Sequence, residues 1–74
     1  NNKVEALEFQ AKSNKRLLNI PLKDLPIKKN ILIAAIIRNN EVIIPSGMDY
    51  ISLDDKVIVV TTNQFLNDLN EILE

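Results

Sequence analysis

Apolar residues in this chain come in blocks rather than in simple alternation. The longest block is Ile31-Leu32-Ile33-Ala34-Ala35-Ile36-Ile37, and after Arg38-Asn39-Asn40-Glu41 a second follows, Val42-Ile43-Ile44-Pro45. A strand with one wet face alternates apolar and polar positions, so these blocks predict a hairpin whose strands are covered on both faces. Asn tolerates positive φ, and Asn39-Asn40 therefore predicts a two-residue turn of the primed type. Such a turn sets the register, placing Arg38 opposite Glu41, Ile37 opposite Val42 and Ile36 opposite Ile43. Arg38 and Glu41 then read as an exposed cross-strand ion pair worth little to stability.

The remaining elements follow from the same patterning. Val4 to Ala11 alternates, with Leu7, Phe9 and Ala11 on one face, and predicts a strand with one wet face. Lys12-Ser13-Asn14-Lys15 is a polar loop. Between Pro21 and Pro26 only a short helix fits, over Leu22 to Leu25, with Leu18, Ile20, Leu22, Leu25 and Ile27 as core contacts. Pro45 to Asp49 is a turn around the only glycine, Asp54-Asp55 is the next turn, and Val57 to Val60 is a strand. Thr61-Thr62-Asn63-Gln64 reads as a capping box opening an amphipathic helix with Phe65, Leu66, Leu69, Ile72 and Leu73 on one stripe. The expected fold is α+β, a small and mainly antiparallel sheet in the order strand, helix, strand, strand, strand, helix.

Length changes how the apolar blocks are read. A chain of 74 residues and 8.4 kDa buries only about 60% of its unfolded surface, and with no cysteine or histidine it has neither a disulfide nor an ordinary zinc site to staple it. Strands that need two covers in so small a domain predict a homodimer. No apolar run approaches the roughly 20 residues that span a bilayer. The opening Asn1-Asn2-Lys3, without methionine or signal-like stretch, reads as one domain, residues 1–74, taken from a longer intracellular polypeptide.

Charge is lopsided. Residues 1–38 carry eight basic and three acidic side chains, and residues 39–74 carry one and seven, for a net charge of -1. Complementary halves predict attraction within the fold or across a dimer. A nucleic-acid face built from Lys12, Lys15, Arg16, Lys23, Lys28 and Lys29 is the competing reading, but Phe9, Tyr50 and Phe65 do not interleave with those cations, so no nucleic-acid partner is expected. The missing His and Cys exclude the common triads and thiolate nucleophiles, and a single glycine excludes glycine-rich phosphate loops. The chain therefore reads as a non-enzyme. Asp49, Asp54 and Asp55 are the only grouping that could hold a hard cation, although their spacing matches no calcium loop and suits ordinary turns.

Four blocks taken in order, Val4-Glu5-Ala6-Leu7-Glu8-Phe9, Pro21-Leu22-Lys23-Asp24-Leu25, Ala35-Ile36-Ile37-Arg38 with Glu41 to Pro45, and Leu53 followed by Asp55-Lys56-Val57-Ile58-Val59, resemble the TrkA C-terminal domain. That family forms the C-terminal lobe of the regulator of K+ conductance module. Asn40 and Asp54 stand where the family usually has glycine. The resemblance implies a cytoplasmic regulatory domain that dimerises, sits at the inner face of the membrane through the rest of its chain, and biases a potassium transporter or channel subunit. It also implies a cyclic di-AMP or other nucleotide effector in some relatives, bound at the dimer cleft by residues of the hairpin strands. Here Ile36, Ile37, Arg38, Asn39, Ile44 and Pro45 occupy that region. A purely structural dimerisation module, or the same domain in another ion or anion transporter, are the alternatives.

Overall fold

The computed structural model describes residues 3–13, 16–62 and 65–74. Four strands, β1 (Val4–Gln10), β2 (Ile31–Arg38), β3 (Glu41–Ile43) and β4 (Lys56–Thr62), form one antiparallel sheet in the order β1-β4-β2-β3. Two short 3₁₀ turns, Leu22–Asp24 and Leu69–Ile72, stand where helices were expected. The hairpin has the register set by its turn, with Ile36 opposite Ile43, Ile37 opposite Val42 and Arg38 opposite Glu41. Asn39 and Asn40 take φ of 52° and 65°, so both central residues occupy the left-handed region that a type I′ turn requires.

β2 is not a regular strand. Ile33 pairs with Val59 and Ala35 with Ile58, so Ala34 is an extra residue opposite a single step of β4, a β-bulge. The bulge reverses the facing of every later residue in β2. Ile31, Ile33 and then Ile36 point to one face, where Val57, Val59, Leu7 and Phe9 lie opposite or beside them. The core is completed by Leu17, Leu25, Ile51, Leu66, Leu69, Ile72 and Leu73, most of them from segments without regular structure. The other face carries Ala6, Leu32, Ala35, Ile37, Val42, Ile58 and Val60, and nothing among the described residues packs over it. Leu32 and Val42 are 62% and 65% exposed. The unbroken apolar blocks do mark strands with two apolar faces, of which the chain covers one.

The C-terminal amphipathic helix is corrected. Thr61 and Thr62 continue β4, pairing with Glu5 and Val4, and the Thr62 N–H donates to the Asn30 carbonyl at 3.2 Å while Asn30 Nδ2 donates to the Thr62 carbonyl at 2.7 Å. β-Branched residues favour that extension. Asn63 and Gln64, the rest of the expected capping box, lie outside the described residues, as do Asn14 and Lys15. The cap is Asp68 instead, whose Oδ1 accepts the Asn70 N–H at 2.7 Å. Only four residues then turn, because Leu73 must extend to bridge Ile27 and the Glu74 N–H reaches the Pro26 carbonyl at 2.8 Å. Leu66, Leu69, Ile72 and Leu73 are buried as expected, whereas Phe65 is exposed.

Two stability outcomes follow from this backbone. Asn40→Val should lose about 1–2 kcal/mol, the cost of a left-handed residue without a compensating side chain, while Asn40→Gly should unfold at the same or higher urea. Thr61 faces the core at 1% exposure, and its hydroxyl has no partner among the described residues. Thr61→Val should therefore raise the melting temperature, by roughly 1 kcal/mol of stability.

Candidate functional site

The reversal at Ala34 turns Arg38 to the core side of the sheet, where it meets Asp55 rather than Glu41. Arg38 Nε donates to Asp55 Oδ1 at 3.0 Å and to Oδ2 at 3.2 Å, and Nη2 donates to Oδ2 at 2.8 Å. Nη2 also donates to the Tyr50 carbonyl at 2.9 Å, and the guanidinium lies 5.2 Å from the Tyr50 ring centroid. Asp55 Oδ2 takes the Ser52 N–H at 2.8 Å as well. The Asp55 carbonyl accepts the Ala11 N–H at 2.7 Å, so one residue joins the ends of β1 and β2 to the start of β4.

Asp55 is 2% exposed and its partner Arg38 30%. Burial pushes the Asp55 carboxyl up, but the Arg38 guanidinium and the Ser52 N–H outweigh it and hold the group below the usual carboxylate range. The same bond holds Arg38 above its ordinary value. Withdrawing a partner from a buried pair costs about 3–5 kcal/mol, whereas a hydrogen bond to a charged group contributes about 1.5–3 kcal/mol. The clasp engages Nε and Nη2, so a ligand would lose to Asp55 only if it had to displace the carboxylate from those two nitrogens.

The expected site residues separate accordingly. Ile36 is fully buried and Arg38 clasps Asp55; Asn39 is a turn residue; Ile37 lies half-buried on the open face; Ile44 is 76% exposed; and Pro45 lines a groove. The acidic trio does not converge on a cation. Asp49 Oδ2 accepts the Ser46 N–H at 2.7 Å, Asp54 occupies a left-handed turn position with φ 72°, and no metal-holding group of carboxylates occurs among the described residues.

The groove was not foreseen. It has a volume of about 430 Å³ and lies between the 22–33 segment and the 45–47 loop, with Leu22, Ile27, Leu32 and Pro45 as walls and Lys23, Lys28 and Lys29 around it. These lysines were legible as part of a basic half, but their convergence needs the fold. The Lys23 N–H donates to the Gly47 carbonyl at 2.9 Å and the Lys28 N–H to the Ile72 carbonyl at 2.9 Å. A Cβ at position 47 would stand 3.1 Å from Lys23 Cβ, so the one glycine sets how closely the two walls approach. A second cavity, about 480 Å³ beside Phe9, Leu17 and Leu69, carries one cation, Lys12, and one anion, Asp68.

The model of the TrkA-C domain matches residues 6–74. The Trk system potassium uptake protein TrkA homolog 2 of Methanosarcina mazei is 33% identical over 70 residues, 95% of the chain, and the Trk system potassium uptake protein TrkA homolog of Archaeoglobus fulgidus is 39% identical over 59 residues, 80% of the chain. The chain spans only 16% and 14% of those relatives. A solved structure described as an RCK domain with cda is 33% identical and superposes with a TM-score of 0.74 over 93% of this chain and 97% of that one.

Removing the clasp should be costly and pH-dependent. Arg38→Ala should lose about 3 kcal/mol in urea unfolding at pH 7, and Asp55→Asn, which keeps an acceptor, less. Because the folded Asp55 value lies below the unfolded one, near 3.9, the pair's contribution is full above about pH 4 and disappears as pH falls through the folded value. In Arg38→Ala only the Ser52 N–H still opposes burial, so the Asp55 value rises from its wild-type position and the gap between wild type and variant should narrow in acid. A constant gap from pH 7 to pH 3 would contradict this.

Proposed function

The chain belongs to the TrkA-C domain family, whose members are regulatory and non-catalytic, and we propose that it is a dimerising, effector-responsive domain of a potassium transport regulator. Its relatives are Trk potassium uptake proteins, in which this domain is a small part. In that setting it acts on the cytoplasmic side, joined through the rest of its chain to a membrane-embedded potassium transporter or channel subunit. No helix among the described residues is long and apolar enough to cross a membrane.

The observation that carries the reading is the open face of the sheet. Ala6, Leu32, Ala35, Ile37, Val42, Ile58 and Val60 share this face, with Glu8, Gln10 and Lys56 beside them on β1 and at the start of β4. A monomeric soluble protein rarely leaves such a face to water. A second copy covers it with the same chemistry, since a two-fold interface is self-complementary. A standard interface takes about 800 Å² from each partner, about a sixth of this chain's 4996 Å² of accessible surface.

The effector reading rests on the groove, which meets the open face at Leu32 and the hairpin at Pro45. A nucleotide such as cyclic di-AMP, bound where two copies meet, would shift the arrangement of the dimer and hence of the attached gate. It can do so only by binding one arrangement better than the other. Of the six hairpin residues expected at the site, Pro45 lines the groove, while Ile36, Ile37, Arg38, Asn39 and Ile44 are not among its lining residues.

Light scattering after gel filtration tests the dimer. Wild type should elute with twice the 8.4 kDa chain mass, and Leu32→Asp or Val42→Asp should be a folded monomer, because those positions are exposed within one chain. Wild type that stays monomeric at high micromolar concentration with a cooperative melt would overturn the reading.

A further inference from the structure

We propose that the cavity between the end of β1 and the C-terminal turn binds an apolar α-amino acid, with Lys12 taking its carboxylate, Asp68 its ammonium group, and Phe9, Leu17 and Leu69 its side chain. The cavity shares no lining residue with the lysine groove, so this site stands apart from the effector reading. Its volume is about 480 Å³, within the range of small-molecule sites. Its floor is apolar. Leu17 and Leu69 are buried, and Phe9 is half-buried, which leaves part of an aromatic side chain that the chain itself does not cover.

The charge around that floor is balanced. Lys12 comes from the end of β1 and Asp68 from the C-terminal segment, and neither forms an ion pair with a described residue. Asp68 Oδ1 accepts the Asn70 N–H at 2.7 Å, while Oδ2 has no donor among the described residues. Gln10, Ser13 and Asn67 add side-chain polar groups that make no hydrogen bond to a described residue. Both walls are held by the main chain: the Ala11 N–H donates to the Asp55 carbonyl at 2.7 Å, and the Glu71 N–H to the Asp68 carbonyl at 3.0 Å. A site fixed before the ligand arrives loses less on binding it.

The ligand class follows from that balance. One cation and one anion favour a solute that carries both signs and no net charge. A nucleotide would bring its phosphates toward Asp68, and like charges repel. A fatty acid would satisfy Lys12 alone, and a simple amine Asp68 alone. An α-amino acid carries both charges on one carbon and leaves its side chain to lie against Phe9 and Leu17.

Titration of nitrogen-15-labelled protein with L-leucine and L-phenylalanine, followed through the amide chemical shifts, tests the assignment. Both should saturate, moving the amides of residues 9–13 and 67–70 and leaving those of 27–33 and 45–47 in place. Lys12→Gln and Asp68→Asn should each weaken leucine about fivefold. Neither should change the melting temperature, since both positions are exposed and Asn caps as well as Asp. Two analogues separate the charges. Leucinamide lacks the carboxylate and should not be weakened by Lys12→Gln, and N-acetylleucine lacks the ammonium group and should not be weakened by Asp68→Asn. Glycine should bind less tightly than leucine, and Lys28→Gln should leave leucine binding unchanged. The assignment is overturned if neither amino acid gives a saturable shift at these residues, or if all three substitutions act alike. Saturation of the same amides by ATP at lower concentration than by leucine would overturn the ligand class.

Discussion

The ion pair between Arg38 and Asp55 is the constraint on which the rest of this small fold depends. Its carboxylate is 2% exposed, so it is tolerable only while the guanidinium and the Ser52 N–H satisfy it. The main chain of the same residue joins Ala11, and its side chain joins the end of β2, so three strand ends and the 50–52 loop share one anchor. A chain without disulfide or metal has few other ways to tie irregular segments to a sheet. A guanidinium held in this way is positioned and charged, with Nε and Nη2 committed to the carboxylate.

The sheet divides its two faces between the chain and its surroundings. One face is roofed by Leu17, Leu25, Ile51, Leu66, Leu69 and Ile72, drawn from turns and short 3₁₀ pieces rather than from long helices. The other is left open. Each large aliphatic side chain moved out of water contributes about 1.5–3 kcal/mol, so covering the open face with a second copy offsets what 74 residues cannot bury alone. The lysine groove lies at the rim of that face, with Leu32 belonging to both. In the proposed dimer, the groove would therefore lie beside the seam between the two sheets.

The C-terminal segment shows how a sound sequence pattern can be overridden. The spacing of Leu66, Leu69, Ile72 and Leu73 does identify buried residues, yet they are buried from a four-residue turn and an extended tail. Two threonines that could cap a helix could equally extend a strand, and pairing with β1 and with Asn30 decided for the strand. Asp68 supplied the cap seven residues later than expected for Thr61.

By itself the sequence determined the hairpin, its register and its turn, because only Asn39 and Asn40 among their neighbours accept positive φ and a two-residue loop leaves no freedom of pairing. It also determined that the strands have two apolar faces and that ordinary nucleophilic and histidine-metal chemistry is absent. Only the tertiary structure decided where Arg38 points. Ile31 to Ile37 is uniformly apolar, so one inserted residue leaves no trace in its pattern, and the bulge at Ala34 arises from how β2 must meet Val59 and Ile58. That single residue sends Ile36 into the core, Ile37 to the open face and Arg38 to Asp55, since side chains in a strand alternate and a shift of one reverses them all. The gathering of Lys23, Lys28 and Lys29 was likewise invisible along the chain, because it depends on the 45–47 loop closing against Lys23 across the one residue that has no Cβ.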